Sequence, residues 1–153
     1  MTQENKELLL KDLCARLDTN LVCSIYRTDD EGVGYRDEIL HGYCKGDIWY
    51  EFYFREDCSI GIDNVSKIKP YLFPFSSITD EQKSELNKKF NVQFSRNDIY
   101  SIHYHSEGYW DTDLELDLQD WLWFINWCYK NHFDENKLIE KGLAVDATGL
   151  NIY

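Results

Sequence analysis

The stretch that decides the fold is "LVCSIYRTDDEGVGYRDEIL", residues 21–40. Leu21, Cys23 and Ile25 alternate with Val22, Ser24 and Tyr26. A period of two sends successive side chains to opposite faces of a strand. β-Branched and aromatic residues suit such a half-buried pleated surface. The run is interrupted by "TDDEGVG" (28–34), whose acids and glycines read as a turn. The "EGVG" within it serves the hairpin, not a ligand. A second turn signal, "CKGD" (44–47), precedes another alternating run. There Ile48, Tyr50, Phe52 and Phe54 alternate with Trp49, Glu51, Tyr53 and Arg55. Residues 20–62 therefore predict about four antiparallel strands, over 20–27, 35–43, 47–55 and 57–62. The mixed Trp49/Glu51/Tyr53/Arg55 face is expected to be partly wet.

Helical signals flank this region. Leu10, Leu13, Cys14 and Leu17 recur at helical spacing, so 4–17 reads as an amphipathic helix capped by Thr2 or Asn5. Downstream, Pro70 and Pro74 hold an extended segment whose Tyr71, Leu72, Phe73 and Phe75 are apolar. Left exposed, those rings would make an adhesive patch, so 66–76 is expected to pack on the sheet. Thr79-Asp80-Glu81-Gln82 is a capping box, which starts a helix over 80–90. Residues 91–110 are ambiguous: "NVQF" and "IYSIHYH" alternate like strands, yet Ser95 or Asp98 suits the opening of a helical turn. Near the end, Asp134 caps a short helix over 135–141, stopped by Gly142. The expectation is a single α+β domain over 1–153, with an N-terminal helix, a small antiparallel sheet and a helical C-terminal half.

The segment "DTDLELDLQD" (111–120) holds five carboxylates and three leucines. A calcium loop of the EF-hand type needs glycine at its sixth position and glutamate at its twelfth. Counted from Asp111, those positions are Leu116 and Leu122. The calcium reading fails. Thr112-Asp113-Leu114-Glu115 is instead a second capping box, and acids in a first turn suit the helix dipole. One helix over 113–131 follows. On a wheel, Leu114, Leu118, Trp121, Leu122, Ile125, Cys128 and Tyr129 form the core stripe. Trp123 and Trp127 fall near the opposite side, beside Asp120. Either residues 91–110, with Tyr109 and Trp110, cover that face, or it is a partner or self-association surface. Trp110, Trp123, Trp127, Asp113, Glu115, Asp117 and Asp120 are thus the candidate partner-binding residues.

Composition supports a folded protein. Of 153 residues, 43% are apolar and 16% aromatic, enough to build a core without staples. No apolar run approaches the ~20 residues of a membrane span. The N-terminus "MTQENKELLLKDL" lacks the basic and apolar regions of a signal peptide. Five cysteines (14, 23, 44, 58 and 128) are an odd number without CxxC spacing. Free thiols in a cytoplasmic protein, with no intramolecular disulfide, fit this best.

The net charge is −12 and uneven. Residues 28–57 hold nine acids and three bases, and 97–129 hold seven acids and no lysine or arginine. Residues 58–96 hold four acids and six bases. Such a chain is not expected to bind the nucleic-acid backbone directly. Its acidic surface is either a solubilising coat or one that meets a basic partner or imitates nucleic acid.

No catalytic, metal-ligating or cofactor-binding residue is assigned. His103-x-His105, with Glu107 and Asp111 beyond, carries two metal-competent imidazoles but no third ligand at diagnostic spacing. Cys44 near His41, and Cys128 near His132, form a thiol–imidazole pair only if they meet in space. No phosphate-cradling glycine loop or hydrolase elbow occurs.

Three stretches, "KELLLKDLCARL" (6–17), "IKPYLFPFSS" (68–77) and "HFDENKLIEKGLAVDATGLNIY" (132–153), together resemble a family of short uncharacterised proteins. Those proteins are common in gut Bacteroidales and in their phages and mobile elements. The resemblance spans both ends and the middle, about a third of the chain. It implies an intracellular protein from a phage-rich setting and transfers no functional residue. The chain departs from the usual pattern over 91–120, where it is longer and more acidic. Together these observations favour a non-enzymatic protein-interaction module. The alternatives are a nucleic-acid mimic that inhibits a host defence enzyme and a metal-dependent hydrolase.

Overall fold

The computed structural model describes residues 1–29, 32–45, 50–55, 58–90 and 118–153. Among these residues the fold is α+β: three α-helices, a four-stranded mixed sheet and a three-stranded antiparallel sheet. Helix α1 spans Gln3–Ala15, and Thr2 Oγ1 caps it by accepting from Asn5 N–H at 3.2 Å. Strands β1 (Val22–Asp29) and β2 (Gly32–Ile39) form a hairpin, with Val22 opposite Ile39 and Asp29 opposite Gly32. Strands β3 (Gly42–Lys45), β4 (Tyr50–Arg55) and β5 (Cys58–Gly61) complete the second sheet in the order β3-β4-β5.

The expected strand over 35–43 is in fact split between two sheets. At its break, Leu40 N–H donates to Leu21 C=O and His41 N–H donates to Tyr53 C=O, each at 2.8 Å. These adjacent donors point to opposite edges. The chain from Gly32 to Lys45 therefore acts as one bent strand. Its first half pairs with β1 on one edge, and its second half pairs with β4 on the other.

The proline-bearing segment is more than a packed strap. Residues Ile68–Leu72 form β6, antiparallel to β1, with Cys23 opposite Pro70. Pro70 has no N–H, and it lies where only β1 pairs with it, because β7 (Val145–Asp146) joins β6 in parallel at Tyr71 and Leu72. The sheet order is β2-β1-β6-β7. That parallel strand makes the sheet mixed rather than antiparallel, since its partner arrives from far along the chain.

Two apolar clusters fill the interior. Leu9 and Leu13 of α1 pack with Leu21, Cys23, Ile25, Phe52, Phe54, Ile68 and Leu72 from the strands. The second cluster joins Phe75, Ile78, Leu86, Phe124, Trp127, Cys128 and Phe133. It lies between α2 (Asp80–Phe90) and α3 (Leu118–Lys130). The first capping box forms as expected: Thr79 N–H donates to Gln82 Oε1 at 3.0 Å, and Gln82 N–H donates to Thr79 Oγ1 at 3.2 Å. The second box lies outside the described residues.

Two further expectations need correction. Residues 135–141 form turns rather than a helix, because Lys137 adopts φ 55°. Asp134 still acts as a cap, accepting from Leu138 N–H at 2.7 Å and Ile139 N–H at 2.8 Å. Gly142, at φ 69°, takes the left-handed stop that its sequence position implies. The wheel of α3 is also misoriented. Phe124 and Cys128 are fully buried and Trp127 is 4% exposed, whereas Leu122 is 53% exposed. The buried arc is turned by about one residue's step, ~100°. The cause is tertiary: α2 and the 75–78 turn supply an aromatic wall on the tryptophan side.

Candidate functional site

Of the tryptophans that the sequence marks as a partner surface, Trp127 is buried and Trp123 half-buried. Trp127 Nε1 donates to Glu85 Oε2 of α2 at 2.9 Å, and its ring lies 5.3 Å from Phe133. Trp123 is half-buried, edge-on to Phe90 at 5.6 Å, with Lys89 Nζ over its ring. Asp120 pairs with Lys89, tying α3 to α2. Among the described residues α2 covers this face; the expected cover, 91–110, lies outside them. Trp110, Asp113, Glu115 and Asp117 lie outside the described residues, as do His103 and His105. Among the described residues no group of three His, Cys, Asp or Glu side chains is placed to hold a metal. Cys14, Cys23 and Cys128 are free thiols. Burial pushes the Cys128 thiol well above its ordinary value, which disfavours the thiolate.

Three stretches distant in sequence, 6–17, 68–77 and 132–153, converge on one buried polar network. Arg16, 0% exposed, donates from Nε and Nη2 to the Asp12 carboxylate at 2.8 and 3.1 Å. Its Nη2 also donates to Phe133 C=O at 2.7 Å, and its guanidinium lies 4.7 Å from the Tyr129 ring centre. Asn136 Nδ2 donates to Asp12 at 2.9 Å. Phe73 N–H donates to His132 C=O at 2.8 Å, and Asp134 N–H donates to Phe73 C=O at 2.9 Å. Helix α1, strand β6 and the 132–136 loop are thereby clamped together. Burial, then the positive Arg16, lowers the His132 pKa to about 4. Burial, then Glu135 and Asp12, pushes Tyr129 up to about 12. These groups hold fixed protonation states at neutral pH, which suits a structural clamp. Sequence periodicity could not reveal it, because a buried Arg–Asp pair at i, i+4 looks like any solvated helix pair.

A cleft of about 180 Å³ lies beside the clamp, lined by Phe75, Ser76, Asp134, Lys137 and Glu140 among others. That is smaller than the ~300 Å³ at which drug-sized ligand sites begin. Its Asp134 carboxylate is already engaged by two backbone amides.

The open feature is the outer face of the larger sheet. On β2, Val33 and Tyr35 are each 65% exposed and Ile39 is 41% exposed. They share this face with the half-buried Tyr26, which meets Tyr35 edge-on at 5.2 Å. Tyr71 Oη donates to Asp37 Oδ1 at 2.8 Å, and Tyr153 Oη donates to Tyr71 C=O at 2.6 Å. Glycines 32 and 34 leave open space, with no atom within 4 Å of where a side chain would begin. The sequence assigns 28–34 to a turn and 35–43 to a strand, whereas Gly32–Gly34 belong to β2 and pair with β1, which puts Val33 in the exposed row. Which face is left uncovered depends on where the helices dock. Among the described residues no helix is long and apolar enough to cross a membrane. Comparisons of the chain with protein-family models, curated proteins and solved structures give no match.

Proposed function

We propose that the protein is a non-enzymatic protein-interaction module that presents the outer face of the β1–β2 hairpin to a protein partner. The observation that carries this reading is the row Val33, Tyr35 and Ile39, exposed on a strand at the sheet's edge. Isolated apolar residues at a surface are ordinary, but Val33 and Tyr35 lie side by side with Tyr26 across the hairpin, and such an aromatic and aliphatic cluster, bordered by Asp37, marks a contact site. Tyrosine suits such a role because it brings a large, rigid, amphipathic surface. The rigid clamp at Asp12–Arg16 supports it by holding β6, and through β6 the hairpin, against α1. The resemblance to short proteins of gut Bacteroidales, their phages and mobile elements is in keeping with a protein whose task is to engage another.

The test is affinity capture from a Bacteroidales lysate with three baits: the wild type, Val33→Ser/Tyr35→Ser, and Leu122→Ser as a control on another exposed apolar site. The reading expects a protein retained by the wild type and the control but lost by the double variant, with all three baits melting alike. Equal capture by all three, or none by any, rejects it.

A further inference from the structure

The same strand offers more than side chains. Strand β2 stands at one end of the sheet order β2-β1-β6-β7. Its register with β1 runs unbroken over eight pairs, without a bulge. The hydrogen-bonding direction of each residue follows from the bend at its end. Leu40 N–H turns toward β1 and His41 N–H turns away, to Tyr53 on β4. Main-chain direction alternates with a period of two along a strand. Counting back, Val33, Tyr35, Asp37 and Ile39 direct their N–H and C=O groups away from β1. These are also the residues on the outer face, which includes the exposed Val33, Tyr35 and Ile39. Beyond Ile39 the chain already accepts β4 on this edge. Upstream, among the described residues, no strand pairs with it.

Native edges are usually blunted by proline, charged side chains, a bulge or a short strand. The eight residues "GVGYRDEI" contain no proline and no lysine, and they form no bulge with β1; of their three charges, Arg36 and the buried Glu38 lie on the inner face and Asp37 alone on the outer one. Charge selects the occupant. Residues 28–57 carry nine acids against three bases, in a chain of net charge −12. A second copy would bring the same excess of negative charge to the same edge. A basic segment would be drawn to it.

The geometry points to strand addition: β2 accepts an extended, lysine- or arginine-bearing segment of a partner protein, antiparallel, along Val33–Ile39. This assignment rests on the interaction reading and specifies its chemistry. The partner's main chain bonds the outward groups of Val33, Tyr35, Asp37 and Ile39. Its apolar side chains lie beside Val33 and Tyr35 on the outer face, where the exposed Asp37 is the charge that draws a basic residue. Antiparallel is the sense in which β4 uses the continuation of the same edge.

The test uses the full chain and two fluorescent peptides, one alternating valine with lysine and one alternating valine with glutamate. Anisotropy should show the lysine peptide binding at least about tenfold tighter, with the difference shrinking as salt rises. Amide hydrogen exchange should slow at Val33, Tyr35 and Asp37 on binding. Gly34, Arg36 and Glu38, which face β1, should be slow with or without peptide. Tyr35→Pro removes an outward donor and should lower affinity about tenfold or more, whereas Tyr35→Thr keeps the main chain and should cost only a few-fold. If Tyr35→Pro fails to fold, the exchange pattern of the wild type decides. Protection of the outward amides in the free protein, or equal binding of both peptides, overturns the inference. A concentration-dependent dimer lost in Tyr35→Pro assigns the edge to a second copy and also overturns it. If capture by the wild-type bait depends on Val33 and Tyr35 while the peptides leave the amides unprotected, the interaction module stands and strand addition falls.

Discussion

Replacing Arg16 with methionine tests the clamp most directly. Arg16 and Asp12 are both 0% exposed. The guanidinium gives Asp12 two of its three hydrogen bonds, at 2.8 and 3.1 Å, and Asn136 gives the third. It also satisfies Phe133 C=O. Methionine fills most of the volume but strands a buried carboxylate and a buried carbonyl. Removing one partner of a buried ion pair costs about 3–5 kcal/mol, mostly from the charge left behind. At this chain length that corresponds to a fall in melting temperature of roughly 10 °C. The pair need not be strongly stabilising for this to hold. Arg16 Nη1 has no hydrogen-bond partner among the described residues, so the guanidinium is itself incompletely compensated. The informative comparison is therefore the double variant Asp12→Leu/Arg16→Met, which removes both charges. It should recover a large part of the loss, leaving Asn136 and Phe133 C=O as the deficit. Urea denaturation followed by tryptophan fluorescence measures all three proteins, and the midpoints compare directly if the slopes agree. A cost below about 1 kcal/mol for Arg16→Met, or a double variant as unstable as the single one, would refute the account of a charge-locked clamp.

Trp127→Ala should destabilise by about 3–5 kcal/mol, while Leu122→Ser should shift stability by less than about 0.5 kcal/mol; equal effects in thermal melts would restore the original wheel. His132 predicts a pH dependence. Its folded pKa of about 4 lies below the ordinary 6.5, so the fold favours neutral imidazole. The stability from this preference is present above pH 6.5 and lost as pH falls toward 4, by up to ~3 kcal/mol. Burial raises Asp134 and Glu135, which acts in the opposite sense as they protonate. The diagnostic is thus the difference between wild type and His132→Phe, whose acid slope over that window should be shallower; parallel curves would exclude the histidine. Gly142→Ala should cost about 1–2 kcal/mol from its φ of 69° alone, since a side chain there meets open space; an unchanged melt would show that the turn relaxes.

Local rules were legible in the sequence wherever the deciding physics is local. Thr2 and the Thr79–Gln82 box satisfy amides within their own turn, so their residue types announce the helix starts. The two-residue period marks β1 and β4 because it follows from the pleat itself. Buried Cys23 and Cys128 followed from their apolar neighbours. What sequence reading missed depends on partners far along the chain. The bend at Leu40–His41 arises because β1 claims one edge of the strand and β4 the other. Lys137 at φ 55° replaces a helix with turns whose amides Asp134 collects. The orientation of α3 was set by Glu85 and the aromatic rings around it, which no wheel contains. Arg16 and Asp12 are spaced like a surface pair, and they are buried because Phe133 and Asn136 arrive from more than a hundred residues away. The exposed row on β2 obeys the same rule. Alternation specifies that one face differs from the other, but only the docking of α1 on the inner face leaves the outer one, with Val33 and Tyr35, to solvent.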